Sequence, residues 1–163
     1  MKKILFFGGM SSGKSGLAEE KTIEISQKKP YYIATYLDNF DDKQMQEKVF
    51  KHQKSREEKF INLEEAYDVS RVIEEGNTYI VDCLSMLIFN NLEEEENLFT
   101  QLEKISCCKA NIVFVLNEIT TGVIPMDKQS RKFVDLTGRV GQIVGAMCDE
   151  VYEVKFGIQK RIK

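Results

Sequence analysis

The chain has 163 residues, 42% of them hydrophobic, and a formal net charge of -3. That length suits one domain spanning residues 1–163 with a single sizeable core, and the acidic balance excludes a whole-chain basic field for nucleic acid. No apolar run approaches the roughly 20 residues of a membrane span, and Cys83, Cys107, Cys108 and Cys148 lack the spacing of metal ligands or of a disulfide framework, reading as reduced thiols of a cytoplasmic protein.

Ile4-Leu5-Phe6-Phe7 is a short apolar run fit for a buried strand. As the core of a signal peptide it is too short, and it leads directly into Gly8-Gly9-Met10-Ser11-Ser12-Gly13-Lys14-Ser15. Gly8 and Gly13 bracket four residues and Lys14-Ser15 follow, which completes the phosphate-binding loop pattern. The glycines let backbone N–H groups converge on phosphate oxygens, and the following helix N-terminus adds partial positive charge. In that pattern Lys14 reaches the outer phosphates and the Ser15 hydroxyl helps hold magnesium. The loop predicts nucleoside triphosphate binding.

A first helix is predicted from about 15 to 27, with Leu17, Ala18 and Ile25 toward the core, and a second strand at 31–35. Asp41-Asp42 caps a predicted helix running to about 54, with Met45, Val49 and His52 on one face. A short strand is expected at 60–63, a helix from 64 to 74 closed by Gly76-Asn77, and a buried strand at 78–82. Apolar 84–89 and acidic 93–96 start two helices or one broken one. Asn111 to Leu116 reads as a core strand. After Pro125 a long helix begins near Asp127, with Phe133, Leu136, Val140, Ile143, Val144 and Met147 on its buried stripe. Val151 to Phe156 reads as the last strand. Strands alternating with helices predict a three-layer α/β architecture, a P-loop NTPase fold of the RecA-like kind with a mainly parallel sheet.

Asp82 ends a strand of the sort that carries the second acid of phosphate-loop enzymes, where it orients magnesium directly or through water; capping the next helix is the alternative. His52, the only histidine, is either a packed helix residue or a nucleophile. Lys48, Lys51, Lys54 and Arg56 surround it, and nearby cations favour the neutral imidazole. Glu118, after a core strand, is an acid, a metal partner or a turn cap, while Arg131 and Asp135 are spaced for an i,i+4 ion pair.

Together these segments resemble the bifunctional adenosylcobinamide kinase/adenosylcobinamide-phosphate guanylyltransferase family of cobalamin biosynthesis. The resemblance rests on Gly8 to Ser15, Tyr32-Ile33-Ala34-Thr35, His52 with Arg56, and Val81-Asp82-Cys83-Leu84. It continues through Asn117-Glu118, Gly122-Val123-Ile124-Pro125, Arg131, Asp135, Gln142 and Asp149-Glu150-Val151. It implies phosphorylation of adenosylcobinamide by ATP or GTP, then transfer of GMP from GTP through a guanylylated His52. It further implies nucleotide contacts at Thr35, Tyr36 and Leu37, at Gln53, Lys54, Ser55 and Arg56, and at Glu64 and Asp82. A homotrimer is also implied. The chain departs from the family's usual residues at Gln53, Glu57, Thr120 and Gly141.

Overall fold

The computed structural model of the chain describes residues 1–36 and 58–163. The elements are β1 (Lys3–Gly8), α1 (Lys14–Ile25), β2 (Tyr31–Ala34), β3 (Ile61–Glu64), a 3-10 turn (Val69–Arg71), β4 (Thr78–Asp82), α2 (Leu84–Asn90), α3 (Glu95–Cys107), β5 (Asn111–Asn117), α4 (Lys128–Met147), β6 (Glu150–Lys155) and β7 (Ile158–Arg161). They build one seven-stranded sheet in the order β3-β2-β4-β5-β1-β6-β7, parallel throughout except for the antiparallel β6–β7 pair. This is the expected three-layer RecA-like α/β architecture.

β1, β4 and β5 are almost continuously apolar because both sheet faces are covered. Ile4, Phe6, Ile80, Val113 and Val115 pack with Ala18 of α1. Their neighbours Leu5, Val81, Ile112, Phe114 and Leu116 point the other way, against Leu87 of α2, Leu98 and Leu102 of α3, and Leu136, Val140 and Val144 of α4. Alternation along each strand thus feeds two core layers. α4 starts where expected, with the Asp127 carboxylate accepting from Ser130 N at 2.8 Å. Its stripe is narrower than the periodicity suggested: Ile143 is 40% exposed.

The helix expected over 64–74 does not form. Strand β3 reaches Glu64, and only Val69–Arg71 is helical, as a single 3-10 turn. Polar side chains take the backbone groups that a helix would have paired. The Glu65 carboxylate accepts from Tyr67 N and Asp68 N, Asp68 accepts from Ser70 N, and Gln101 of α3 accepts from Val69 N. The Asn91 and Gln101 amides donate to Tyr67 O, and Asn90 donates to Ala66 O. Beyond the expected last strand the chain turns at Phe156-Gly157, both at positive φ, and returns as β7. The two-residue turn is of the primed kind whose twist suits a hairpin.

Candidate functional site at the carboxyl ends of the strands

β1 delivers the phosphate loop to the carboxyl edge of the sheet, where the crevices of open α/β sheets take ligands. Gly8 is forced by packing: a Cβ there would lie 2.2 Å from the Val154 carbonyl oxygen of β6. Gly13 precedes α1 in the left-handed region at φ 92°, which favours glycine. Between them the loop curls on itself, Ser12 N donating to Gly9 O at 3.3 Å. The β6–β7 turn braces it from outside, Gly157 N donating to Ser12 O at 2.8 Å. Gly9, Met10 and Ser11 are exposed and Ser15 is half-buried. The Ser12 hydroxyl is buried with no hydrogen-bond partner among the described residues, an orphan of the sort a bound oxyanion satisfies.

Lys14 is 6% exposed, and its ammonium donates to Gly9 O at 3.1 Å. Burial holds its pKa below the ordinary lysine value, against the opposing pull of Asp82 and Cys83. A desolvated cation at the N-terminus of α1, with no acidic residue in the first turn of that helix, is a strong attractor for polyphosphate.

Asp82 ends β4, separated from β1 only by β5. It does not cap α2: Cys83 occupies the cap position and makes no side-chain cap bond. Instead the Tyr32 hydroxyl donates to the Asp82 carboxylate. Thr35 is fully buried, and its hydroxyl donates to Cys83 O at 2.8 Å and accepts from Cys83 N at 3.0 Å. Its side chain therefore braces the acid's neighbour, while Tyr36 beyond it is half-buried. Glu64 is exposed at the end of β3, in register through Ala34 with Asp82, which sets the two about 10 Å apart across two strand spacings. Burial, with the charge of Asp82, pushes the Cys83 thiol up to about 11, which favours the neutral thiol at this edge.

Two further residues frame this edge. Asn117 ends β5 in register with Gly8, and Glu118 N donates to Gly8 O at 2.9 Å. The Glu118 carboxylate caps a turn, accepting from Thr120 N and from the Thr120 and Thr121 hydroxyls. Burial opposes its ionisation, but these bonds win and hold it below the usual carboxylate range. Arg131 makes no ion pair with Asp135; its guanidinium donates to Pro125 O and Met126 O. Gly8 to Ser15, Thr35, Tyr36, Glu64 and Asp82 therefore all share the carboxyl edge. Leu37, His52, Gln53, Lys54, Ser55, Arg56 and the helix expected over 41–54 lie outside the described residues. Sequence reading gave Tyr32 no role in the site, and passed over the bracing turn at Gly157. An X-Gly pair followed by alternating Ile158 and Lys160 was the available signal for the turn.

Residues 4–162 match the family described as cobinamide kinase / cobinamide phosphate guanyltransferase. The chain belongs to this family. Among its relatives is the bifunctional adenosylcobalamin biosynthesis protein CobP of Pseudomonas aeruginosa, 30% identical over 169 residues that cover 98% of this chain and 96% of the relative. The bifunctional adenosylcobalamin biosynthesis protein CobU of Escherichia coli K12 is 28% identical over 183 residues, covering 98% of this chain and 99% of its own. A solved structure from Pyrococcus horikoshii OT3 aligns over 99% of this chain and 86% of its own, with a TM-score of 0.53 and 11% identity, a likeness of fold alone.

Proposed function

We propose that this member of the cobinamide kinase / cobinamide phosphate guanyltransferase family phosphorylates adenosylcobinamide with ATP or GTP and then transfers GMP from GTP to the product. The end product is adenosylcobinamide-GDP, in assembly of the nucleotide loop of cobalamin. The observation that carries the reading is the pairing, at one sheet edge, of buried Lys14 and the Ser12 hydroxyl, which has no partner among the described residues, with Asp82 on the next strand but one.

In the first reaction the hydroxyl of the acceptor's aminopropanol arm attacks the γ-phosphorus, and the bond to the β,γ-bridging oxygen breaks. Lys14 and the loop N–H groups, supplied by Gly8 to Ser15, neutralise charge building on the leaving phosphates. Their desolvation makes that stabilisation stronger than it would be in water. The Ser15 hydroxyl and the Asp82 carboxylate are hard oxygen donors that suit magnesium, which takes one or two protein ligands and fills its octahedron with water and phosphate oxygens. Among the described residues no group of three or more His, Cys, Asp or Glu gathers that could hold a metal. When bound, magnesium supplies further charge neutralisation at the outer phosphates. Tyr32 orients Asp82 for this role.

In the second reaction a nitrogen of His52 attacks the α-phosphorus of GTP, releasing pyrophosphate. A phosphate oxygen of adenosylcobinamide phosphate then displaces the imidazole, splitting one hard transfer into two. By the family resemblance, Thr35, Tyr36, Leu37, Gln53, Lys54, Ser55, Arg56 and Glu64 contact the nucleotide, the contacts of Tyr36 and Leu37 being largely main-chain. Of these, Thr35 and Tyr36 follow β2 and Glu64 ends β3. We assign the protein to the cytoplasm, acting as a homotrimer. Among the described residues no helix is long and apolar enough to cross a membrane. ATP labelled at the γ-phosphate, incubated with adenosylcobinamide, tests the kinase half: label is expected on the corrinoid with wild type and not with Lys14→Met. Label released only as inorganic phosphate would overturn the reading.

A further inference from the structure

A cleft of about 610 Å³ lies beside the phosphate loop on the sheet face opposite α1. Its floor is Leu5, Phe7 and Leu116, and one wall is the backbone of α4 at Gly138, Gly141 and Gly145. Its size and apolar floor with few polar groups are those of a small-molecule site. None of the three wall glycines has positive φ, so the helix geometry demands none of them. Steric room does not demand them either. A Cβ at Gly138 or Gly141 would make ordinary contacts of 3.6 Å, and one at Gly145 would meet none of the described residues within 4 Å. Each glycine weakens the helix, and what the three provide together is open space over the sheet.

The mouth of the cleft carries Asn117 and Glu118, the residues that tie β5 to the loop. Asn117 is in register with Gly8, and its amide nitrogen is 3.9 Å from Cys83 Sγ, next in the chain to Asp82. Asn117 and Glu118 thus bring one end of the cleft to the carboxyl ends of β1 and β5, beside the start of the phosphate loop and one strand from Asp82. Gln142 supplies a second amide on the wall. A corrinoid, a broad macrocycle edged by methyl groups and carboxamides, matches an apolar floor rimmed by two side-chain amides.

We propose that this cleft receives the corrinoid acceptor, with Gly141 as its size-determining residue. The proposal rests on the kinase reading above. It is tested with the full chain by a graded series, Gly141→Ala and Gly141→Leu, both compatible with helical backbone and expected to melt at or above wild type. Adenosylcobinamide binding is followed by equilibrium dialysis, its KM in the kinase assay, nucleotide Kd by calorimetry, and oligomeric mass by light scattering. Acceptor Kd and KM are expected to rise with side-chain volume, about five- to a hundredfold for Leu, the range of an overpacking cost. Nucleotide Kd stays within twofold (about 0.4 kcal/mol). A flat acceptor series, or parallel loss of nucleotide binding, would overturn the proposal. So would a change of oligomeric mass at unaltered acceptor affinity, which assigns the cleft to a second copy of the chain. Wild type that binds adenosylcobinamide but does not phosphorylate it would refute the kinase reading, while the binding series would still decide the cleft.

Discussion

Replacing Gly8 by alanine tests how the phosphate loop is held. The new Cβ would sit 2.2 Å from Val154 O, 3.2 Å from Val154 C and 3.0 Å from Ser12 Oγ. Ordinary carbon-to-carbonyl contacts are about 3.3–3.6 Å, so β1 and β6 must part by about 1 Å at that point. The atoms that must move are backbone in a buried pair of the sheet, with Gly8 and Val154 directly in register. They cannot swing aside as a side-chain tip would. Overpacking of this kind costs ~2–3 kcal/mol, which in a domain of this size lowers the melting temperature by about 5–10 °C. The same displacement drags the loop from its brace at Gly157, so nucleotide affinity should fall with stability. Gly9→Ala is the control, since no atom of the described residues lies within 4 Å of its Cβ position and its effect should stay within about 0.5 kcal/mol. Thermal unfolding by circular dichroism and calorimetric titration with GTP read both effects. If Gly8→Ala melts with wild type, or Gly9→Ala falls equally far, the close-approach argument is refuted.

Lys14→Met should leave the fold intact, because it exchanges a desolvated cation for an apolar chain of similar length, yet cut phosphoryl transfer by about a hundredfold or more; a melt and a kinase assay on one sample check this. Tyr32→Phe frees one bond on Asp82, so we expect ~1 kcal/mol of lost stability together with a higher half-saturating magnesium concentration; an unchanged magnesium curve would remove Tyr32 from its orienting role. Glu150 accepts from Lys2 at 2.7 Å and from the Tyr152 hydroxyl at 2.7 Å, and these partners bring its carboxyl down to about 2 from an ordinary 4.5. A depressed folded-state pKa contributes stability above pH 4.5 that is lost as pH falls from 4.5 toward 2. Glu150→Gln should therefore lower urea stability at pH 7 by ~1–2 kcal/mol and flatten its decline in acid, where equal slopes would refute the assignment.

What could be read from the chain was what is local. The pattern from Gly8 to Ser15 is contiguous in the chain, so strand, loop and helix stand where expected, although Val154 and Gly157 press on the loop from afar. The burial of β4 and β5 was likewise visible in their unbroken apolar runs. The failures come from residues distant in sequence. The segment after Glu64 has helical spacing, but Gln101 on α3 and Asn90 and Asn91 at the end of α2 capture its backbone groups instead. The Tyr32–Asp82 bond exists because β2 lies beside β4 with Ala34 level with Asp82, a pairing no local pattern encodes. The bonds between the Thr35 hydroxyl and the Cys83 backbone likewise join residues far apart in the chain. Arg131 matched an ion-pair spacing with Asp135, but nearby carbonyls at the start of α4 claimed it first. The β6–β7 turn escaped notice because a bulky residue, Phe156, holds a position at φ 52° that usually takes glycine or asparagine.

The two-reaction account stands or falls on a covalent guanylyl intermediate. Wild type and His52→Ala are incubated with magnesium and GTP labelled at the α-phosphate, denatured, and weighed intact. The account predicts one acid-labile GMP adduct on wild type and none on the variant. Wild type that binds GTP yet carries no adduct would contradict it, leaving a kinase alone on this scaffold.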